Sequence, residues 1–156
     1  MKIRWKTLII ALVIPLLTGS VAALISRNAM KSFESINQPP LSPPQWLFPV
    51  AWTVLYILMG IASYLVFVSD GDVTQRKNAL IFYAIQLFFN FAWTLIFFNM
   101  KMYLFAFVWL VVLWALILIT LIGFGKIDKR AGFLMLPYLL WVTFAGYLNF
   151  GIFLLN

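Results

Sequence analysis

Apolar side chains dominate five long stretches of this chain, about Leu8–Ile25, Leu47–Val68, Ala79–Phe98, Tyr103–Phe124 and Phe133–Leu155. Polar and charged residues gather between them, in Ser26–Trp46, Ser69–Asn78, Asn99–Met102 and Gly125–Gly132. A helix crosses a bilayer with about 20 mostly apolar residues, and each stretch is close to that length. Hydrocarbon offers no partner to an open strand edge, so each is predicted to be a helix. The pattern predicts an all-α integral membrane protein, a bundle of five transmembrane helices forming one domain over residues 1–156. Only the first connector is long. Long loops in compact chains are functional or disordered, and the prolines in this one predict order.

That connector leads into the most distinctive stretch, QPPLSPPQWLFPVAWTVLYILMGIASY from Gln38 to Tyr64. Pro39 and Pro40 should form a stiff extended arm. Ser42 has the position of an N-cap, with Pro43 and Pro44 in the first turn and Gln45 at the capping-box position. Pro49 then falls a turn later and should bend the helix by freeing the carbonyl of Gln45. Trp52, Tyr56 and Gly60 share one face at i, i+4 and i+8. Trp46 reads as part of an interfacial aromatic belt. Trp52 and Tyr56 lie deeper, where a belt does not explain them.

Composition supports the membrane reading. The chain is 65% hydrophobic and 10% charged, against about half and about a quarter in soluble domains. It has no cysteine and no histidine. That excludes disulfides, thiol nucleophiles, Cys/His metal sites, histidine triads and a histidine ligand to haem. The net charge of +7 comes from residues that cap apolar segments. They do not line a face with interleaved polar groups, so no nucleic-acid partner is implied. No metal and no resident cofactor is expected.

Lys2, Arg4 and Lys6 before an apolar run resemble a secretory signal. The run continues to about Ile25 with no clear cleavage motif, and it is taken as the first span. Pro15 should bend it, and Gly19 with Ala23 forms a small-xxx-small pair for close helix approach. With five spans, one side of the membrane holds Lys2, Arg4, Lys6, Arg76, Lys77, Lys126, Lys129 and Arg130. The other holds only Arg27, Lys31 and Lys101. The positive-inside rule then places the N-terminus in the cytoplasm, with the proline loop and the C-terminus outside. A bacterial plasma membrane fits this bias.

No acidic or basic residue falls inside a predicted span, which argues against a proton-coupled transporter. The polar residues within the membrane are few and grouped. The third helix carries Gln86, Asn90 and Thr94 at i, i+4 and i+8, beside Trp93 and Phe97. Gln86 is equally readable as interhelical glue and as a ligand contact. The fifth helix, capped by Asp128 and kinked at Pro137, sets Trp141, Ala145 and Leu148 on one face with Asn149. Ala145 and Gly146 leave room in the bundle. Indoles from three helices, Trp52, Trp93 and Trp141, suggest a flat apolar cavity with a few hydrogen-bonding groups, the character of a ligand pocket. Plain core packing accounts for the same spacing.

These residues resemble the TspO/MBR family, the tryptophan-rich sensory proteins of bacteria and the mitochondrial translocator protein or peripheral-type benzodiazepine receptor. Three blocks carry the match: Pro43-Pro44 through Trp46, Trp52, Tyr56 and Gly60 to Tyr64; Gln86-Leu87, Asn90, Trp93 and Phe97-Phe98; and Pro137-Tyr138-Leu139, Trp141, Phe144-Ala145 and Leu148-Asn149. The resemblance implies five helices around a pocket capped by the first loop. It implies binding of porphyrins such as protoporphyrin IX, of sterols in some members, and of isoquinoline and benzodiazepine drugs. The pocket residues it implies are Trp52, Asn90, Trp93, Trp141, Ala145 and Leu148, with Ala23 and Phe105 at positions that line the pocket in other members. Tyr56 and Gln86 join this candidate set from their own spacing. The chain departs from the family in places. Ser32-Phe33 stands where members often have Trp-Tyr, and Leu41 where many have tryptophan. Phe150 replaces the tyrosine of the mitochondrial sterol motif with no basic residue after it, so that motif implies no sterol here. Ile81 and Ile85 replace a Gly-xxx-Gly pair that supports dimer models, so a homodimer would need another surface.

Three functions follow as alternatives. The first is a membrane receptor or carrier that binds tetrapyrroles and related apolar ligands, in stress or tetrapyrrole regulation. The second is an enzyme degrading porphyrin in light and oxygen, with Trp52 and Trp141 as candidate electron donors. The third is a structural or regulatory membrane protein whose partner is another protein.

Overall fold

The computed structural model describes residues 2–156. Its elements are α1 (Trp5–Ile25), α2 (Arg27–Phe33), α3 (Leu47–Phe67), α4 (Val73–Thr94), α5 (Tyr103–Ile127) and α6 (Lys129–Leu155), and α4 continues into a π-helical turn at Leu95–Asn99. Five helices, α1, α3, α4 with its π turn, α5 and α6, are long and apolar enough to cross a membrane. The chain is an integral membrane protein, as its pattern predicts.

The five spans form a ring in the order α1, α3, α6, α5, α4, with α4 touching α1 to close it. Met59, Leu113, Ile117, Phe124, Met135 and Tyr138 fill the interior. Small residues set the close approaches. A Cβ at Gly60 would lie 2.9 Å from the Ala11 carbonyl oxygen, so α1 and α3 touch there almost backbone to backbone. Gly132 faces Gly125 in the same way, at 2.8 Å from its Cα, which lets Asp128 alone join α5 to α6. Asp128 is the predicted cap: its carboxylate accepts the Arg130 backbone N–H at 2.9 Å and pairs with the Arg130 guanidinium. That side-chain contact holds the carboxyl below its usual range.

The proline-rich entry departs from expectation. α3 begins at Leu47 with Trp46 at its cap position and no side-chain cap. Ser42 instead donates its hydroxyl to the Pro39 carbonyl at 2.7 Å, so it closes a turn in the loop. Pro43, Pro44 and Gln45 precede the helix. The carbonyl of Gln45 accepts from Phe48, and Pro49 sits in the first turn, where its missing N–H has no helical partner to lose. Pro15 and Pro137 likewise lie inside helices that run on through them.

Two helical features escaped the hydrophobic pattern. α4 starts at Val73 because Asp72 caps it, accepting the Gln75 N–H at 2.9 Å. The residues from Val73 to Asn78 are too polar for a hydropathy boundary to include. α2 is only seven residues long and would not hold alone. It is fixed by Phe33, whose ring lies 5.7 Å from Phe97 and 5.4 Å from Phe98.

Candidate functional site

A cavity of about 340 Å³ occupies the half of the bundle nearest the first loop. Four spans and the loop enclose it, and α5 contributes nothing to its lining. The wall on the α3 and α6 side is aromatic. Trp52 stacks on Tyr56 with centroids 5.6 Å apart, and meets Trp141 edge-on at 6.5 Å and 88°. Trp93 closes the α4 side, stacked 5.2 Å from Phe97. Its indole N–H is fixed by Asn149 Oδ1 at 3.1 Å, and Asn149 in turn donates to the Tyr103 carbonyl. Gly19, Ala22 and Ala23 of α1 complete the wall. A side chain at position 19 would overlap the Tyr56 ring, so glycine there is what admits Tyr56.

Beneath the aromatic wall lies a chain of buried polar groups. The Tyr56 hydroxyl donates to Asn90 Oδ1 at 3.0 Å, Asn90 Nδ2 donates to the Tyr138 oxygen at 2.8 Å, and the Tyr138 hydroxyl donates to Gln86 Oε1 at 2.7 Å. Three helices are thereby joined at one depth. In a dry interior, a satisfied network of this kind fixes the mutual register of its helices.

Loop residues Gln38, Ser42 and Gln45, with Met30 and Phe33 of α2, form the roof. The roof is strapped to α6. Asn156 Nδ2 donates to the Asn37 carbonyl at 2.7 Å, Pro39 packs on Gly151, and the Tyr147 hydroxyl donates to the Pro40 carbonyl at 2.6 Å.

Of the ten residues singled out from the sequence, seven line this one cavity: Ala23, Trp52, Tyr56, Trp93, Trp141, Ala145 and Leu148. Three do not. Gln86 and Asn90 lie outside the lining and bond to Tyr138 and Tyr56 of neighbouring helices in the buried network. Phe105 is 46% exposed on α5 beside Trp109, facing away from the cavity. Gly146 also leaves no room there, since it faces Leu110 and Phe107 of α5. The sequence reading missed Phe98, Phe33 and Phe48. Phe98 enters the lining with Phe97 because the π turn adds a residue to the register. The run LIFFN contains no glycine or proline to announce that turn. Phe33 and Phe48 depend on the path of the loop, which local pattern does not carry.

The lining has no Asp, Glu, Lys, Arg, His or Cys. A metal would meet only neutral side chains there. The indoles differ among themselves. Trp93, Trp109 and Trp114 donate to Asn149, to the Phe89 carbonyl and to Thr143. Trp52 and Trp141, both in the cavity lining, donate to no other described residue.

Residues 11–155 match the model of the TspO/MBR family. The chain belongs to the TspO/MBR family. It is 40% identical over 124 residues to the tryptophan-rich protein TspO of Chlorobaculum tepidum, covering 80% of this chain and 78% of that protein. It is 42% identical over 124 residues to the tryptophan-rich sensory protein of Cereibacter sphaeroides, covering 80% and 76%. The bovine translocator protein is 32% identical over 139 residues, covering 88% and 82%. The TspO/MBR match spans the whole cavity, from Gly19 on α1 to Ile152 on α6.

Proposed function

We propose that this TspO/MBR protein is a membrane receptor or carrier whose cavity binds tetrapyrroles such as protoporphyrin IX and related apolar ligands. One observation carries this reading. The cavity is an aromatic slot with two unpartnered indole N–H groups, from Trp52 and Trp141, and no acidic or basic side chain in its lining. Such a slot suits a flat apolar ring with a few acceptor atoms, and it suits binding better than chemistry. The names of the bacterial and mammalian relatives, sensory and translocator proteins, are consistent with ligand binding in a membrane. Arg27 and Lys31 are exposed on α2 and do not line the cavity, so the propionates of a porphyrin would point past the roof toward the interface rather than pair within the slot.

The test is a titration of the purified protein in lipid nanodiscs with protoporphyrin IX, followed by tryptophan emission. Saturable quenching that an isoquinoline competitor reverses supports the reading. Quenching that rises linearly and ignores the competitor contradicts it.

A second reading, light-dependent degradation of the bound porphyrin, rests on the edge-on contact of Trp52 with Trp141 and the stacking of Trp52 on Tyr56. With no carboxylate, amine, guanidinium, imidazole or thiol in the lining, the protein would supply position and an oxidisable ring, while the excited ligand and oxygen supply the chemistry. Trp52→Phe and Trp141→Phe should keep binding within a few-fold and slow bleaching. Bleaching at the free-porphyrin rate in wild type and both variants leaves only the receptor.

A further inference from the structure

The roof of the cavity holds a side chain whose backbone is clamped on both sides. On one side, Asn37 and Asn156 exchange a pair of amide hydrogen bonds. Asn156 Nδ2 donates to the Asn37 carbonyl at 2.7 Å, and Asn156 Oδ1 accepts the Asn37 backbone N–H at 3.2 Å. On the other side, Pro39 is buried against Gly151, where a Cβ would lie 2.7 Å from the proline ring. The Tyr147 hydroxyl then holds the Pro40 carbonyl at 2.6 Å. Gln38 stands between these contacts, and the proline after it confines its backbone to extended conformations. Ordering an irregular segment costs conformational entropy at each residue. Contacts from Tyr147, Gly151 and Asn156 of α6 and its end offset that cost over Asn37–Pro40.

Gln38 lines the cavity and is only partly exposed, and its carboxamide bonds to no other described residue. Most other polar groups of the lining are already engaged. Ser42 donates its hydroxyl to the Pro39 carbonyl, Tyr56 to Asn90 Oδ1, and Thr94 to the Asn90 carbonyl. Asn149 accepts from Trp93 and donates to the Tyr103 carbonyl. Gln45 is exposed, so water satisfies its amide. Trp52 and Trp141 keep free N–H groups, but they belong to the wall below the roof. The lining offers a carboxylate no cation. What the roof does offer is a primary amide with two N–H donors on a fixed backbone.

We infer that the Gln38 carboxamide is the specificity-determining group of the roof, with Asn156, Gly151 and Tyr147 as the residues that position it. Its Nε2 donates to a carboxylate or carbonyl oxygen that the ligand carries past the roof. The slot accepts the flat ring, and Gln38 distinguishes rings that bear such an oxygen from rings that bear only alkyl groups. This inference rests on the receptor reading above and names the ligand feature that the site selects.

The test compares two probes in nanodiscs, protoporphyrin IX and aetioporphyrin, the same macrocycle with alkyl groups only. The quantity read is the ratio of their affinities, in which partition into lipid cancels between one protein and another. Gln38→Leu should lower the preference for protoporphyrin by roughly three- to thirtyfold, the range of one hydrogen bond to a charged acceptor in a partly solvated site. Gln38→Glu, which sets a carboxylate against a carboxylate, should lower it at least as far. Asn156→Ala should lower it in the wild-type background and leave it unmoved in Gln38→Leu, because the clamp acts through Gln38. A wild-type ratio in Gln38→Leu, whether both affinities fall together or neither falls, overturns the assignment of Gln38 and leaves the receptor reading standing. An equal effect of Asn156→Ala in both backgrounds overturns the positioning role. Wild-type protein that binds neither porphyrin saturably removes the receptor reading and this inference with it.

Discussion

Replacing Ala145 with phenylalanine probes the cavity most cleanly. Ala145 lines the slot beside Trp141 and Leu148, on a helix whose opposite faces pack against α5 and α3. A phenyl ring there projects into the cavity of about 340 Å³ and toward the two free indoles. The fold should tolerate it, because the ring enters open space rather than filled core. The ligand should not. Extra bulk in a filled site costs about 1–3 kcal/mol. At about 1.4 kcal/mol per tenfold, affinity falls roughly five- to a hundredfold. The assay is porphyrin titration by tryptophan quenching, with circular dichroism and thermal unfolding to confirm the fold. Ala115→Phe, at an exposed position on α5, is the control and should leave affinity unchanged. A folded Ala145→Phe protein with wild-type affinity refutes the placement of the site.

Tyr138→Phe removes the donor to Gln86 and the acceptor for Asn90 Nδ2, and denaturant unfolding should show a loss of about 1–3 kcal/mol; a loss near zero means the network does not join the helices. Gly19→Leu would collide with the Tyr56 ring, so thermal unfolding should show destabilisation and porphyrin titration weaker binding, and wild-type behaviour in both would show that α1 does not pack as described. The charge asymmetry predicts that, on intact cells, an impermeant thiol reagent labels Ser35→Cys and not Asp70→Cys; the reverse pattern inverts the orientation.

The five spans were legible because hydrocarbon demands long apolar runs, and their order along the sequence is visible without any tertiary information. Boundaries were less legible where polar residues are helical, as at Val73–Asn78, since hydropathy measures lipid contact and not backbone conformation. Helical spacing did place Trp52, Tyr56, Trp93, Trp141, Ala145 and Leu148 around one space. It did not separate a polar residue that faces the cavity from one spent beneath it. Asn90 and Gln86 sit one turn apart on the correct helix, yet their partners Tyr56 and Tyr138 lie on other helices. The loop's path along α6 rests on a contact distant in sequence, Pro39 with Gly151, and no local pattern carries it.

The seven tryptophans divide into those lining the cavity, Trp52, Trp93 and Trp141, and those outside it, Trp5, Trp46, Trp109 and Trp114. Fluorine NMR of 5-fluorotryptophan-labelled protein, assigned by single Trp→Phe replacements, reads each one separately. Protoporphyrin IX in the slot should shift the signals of Trp52 and Trp141 most, through its ring current, with a smaller shift at Trp93 and the other four unmoved. Shifts confined to Trp109 and Trp114, or none at saturating porphyrin, would contradict the cavity as the binding site.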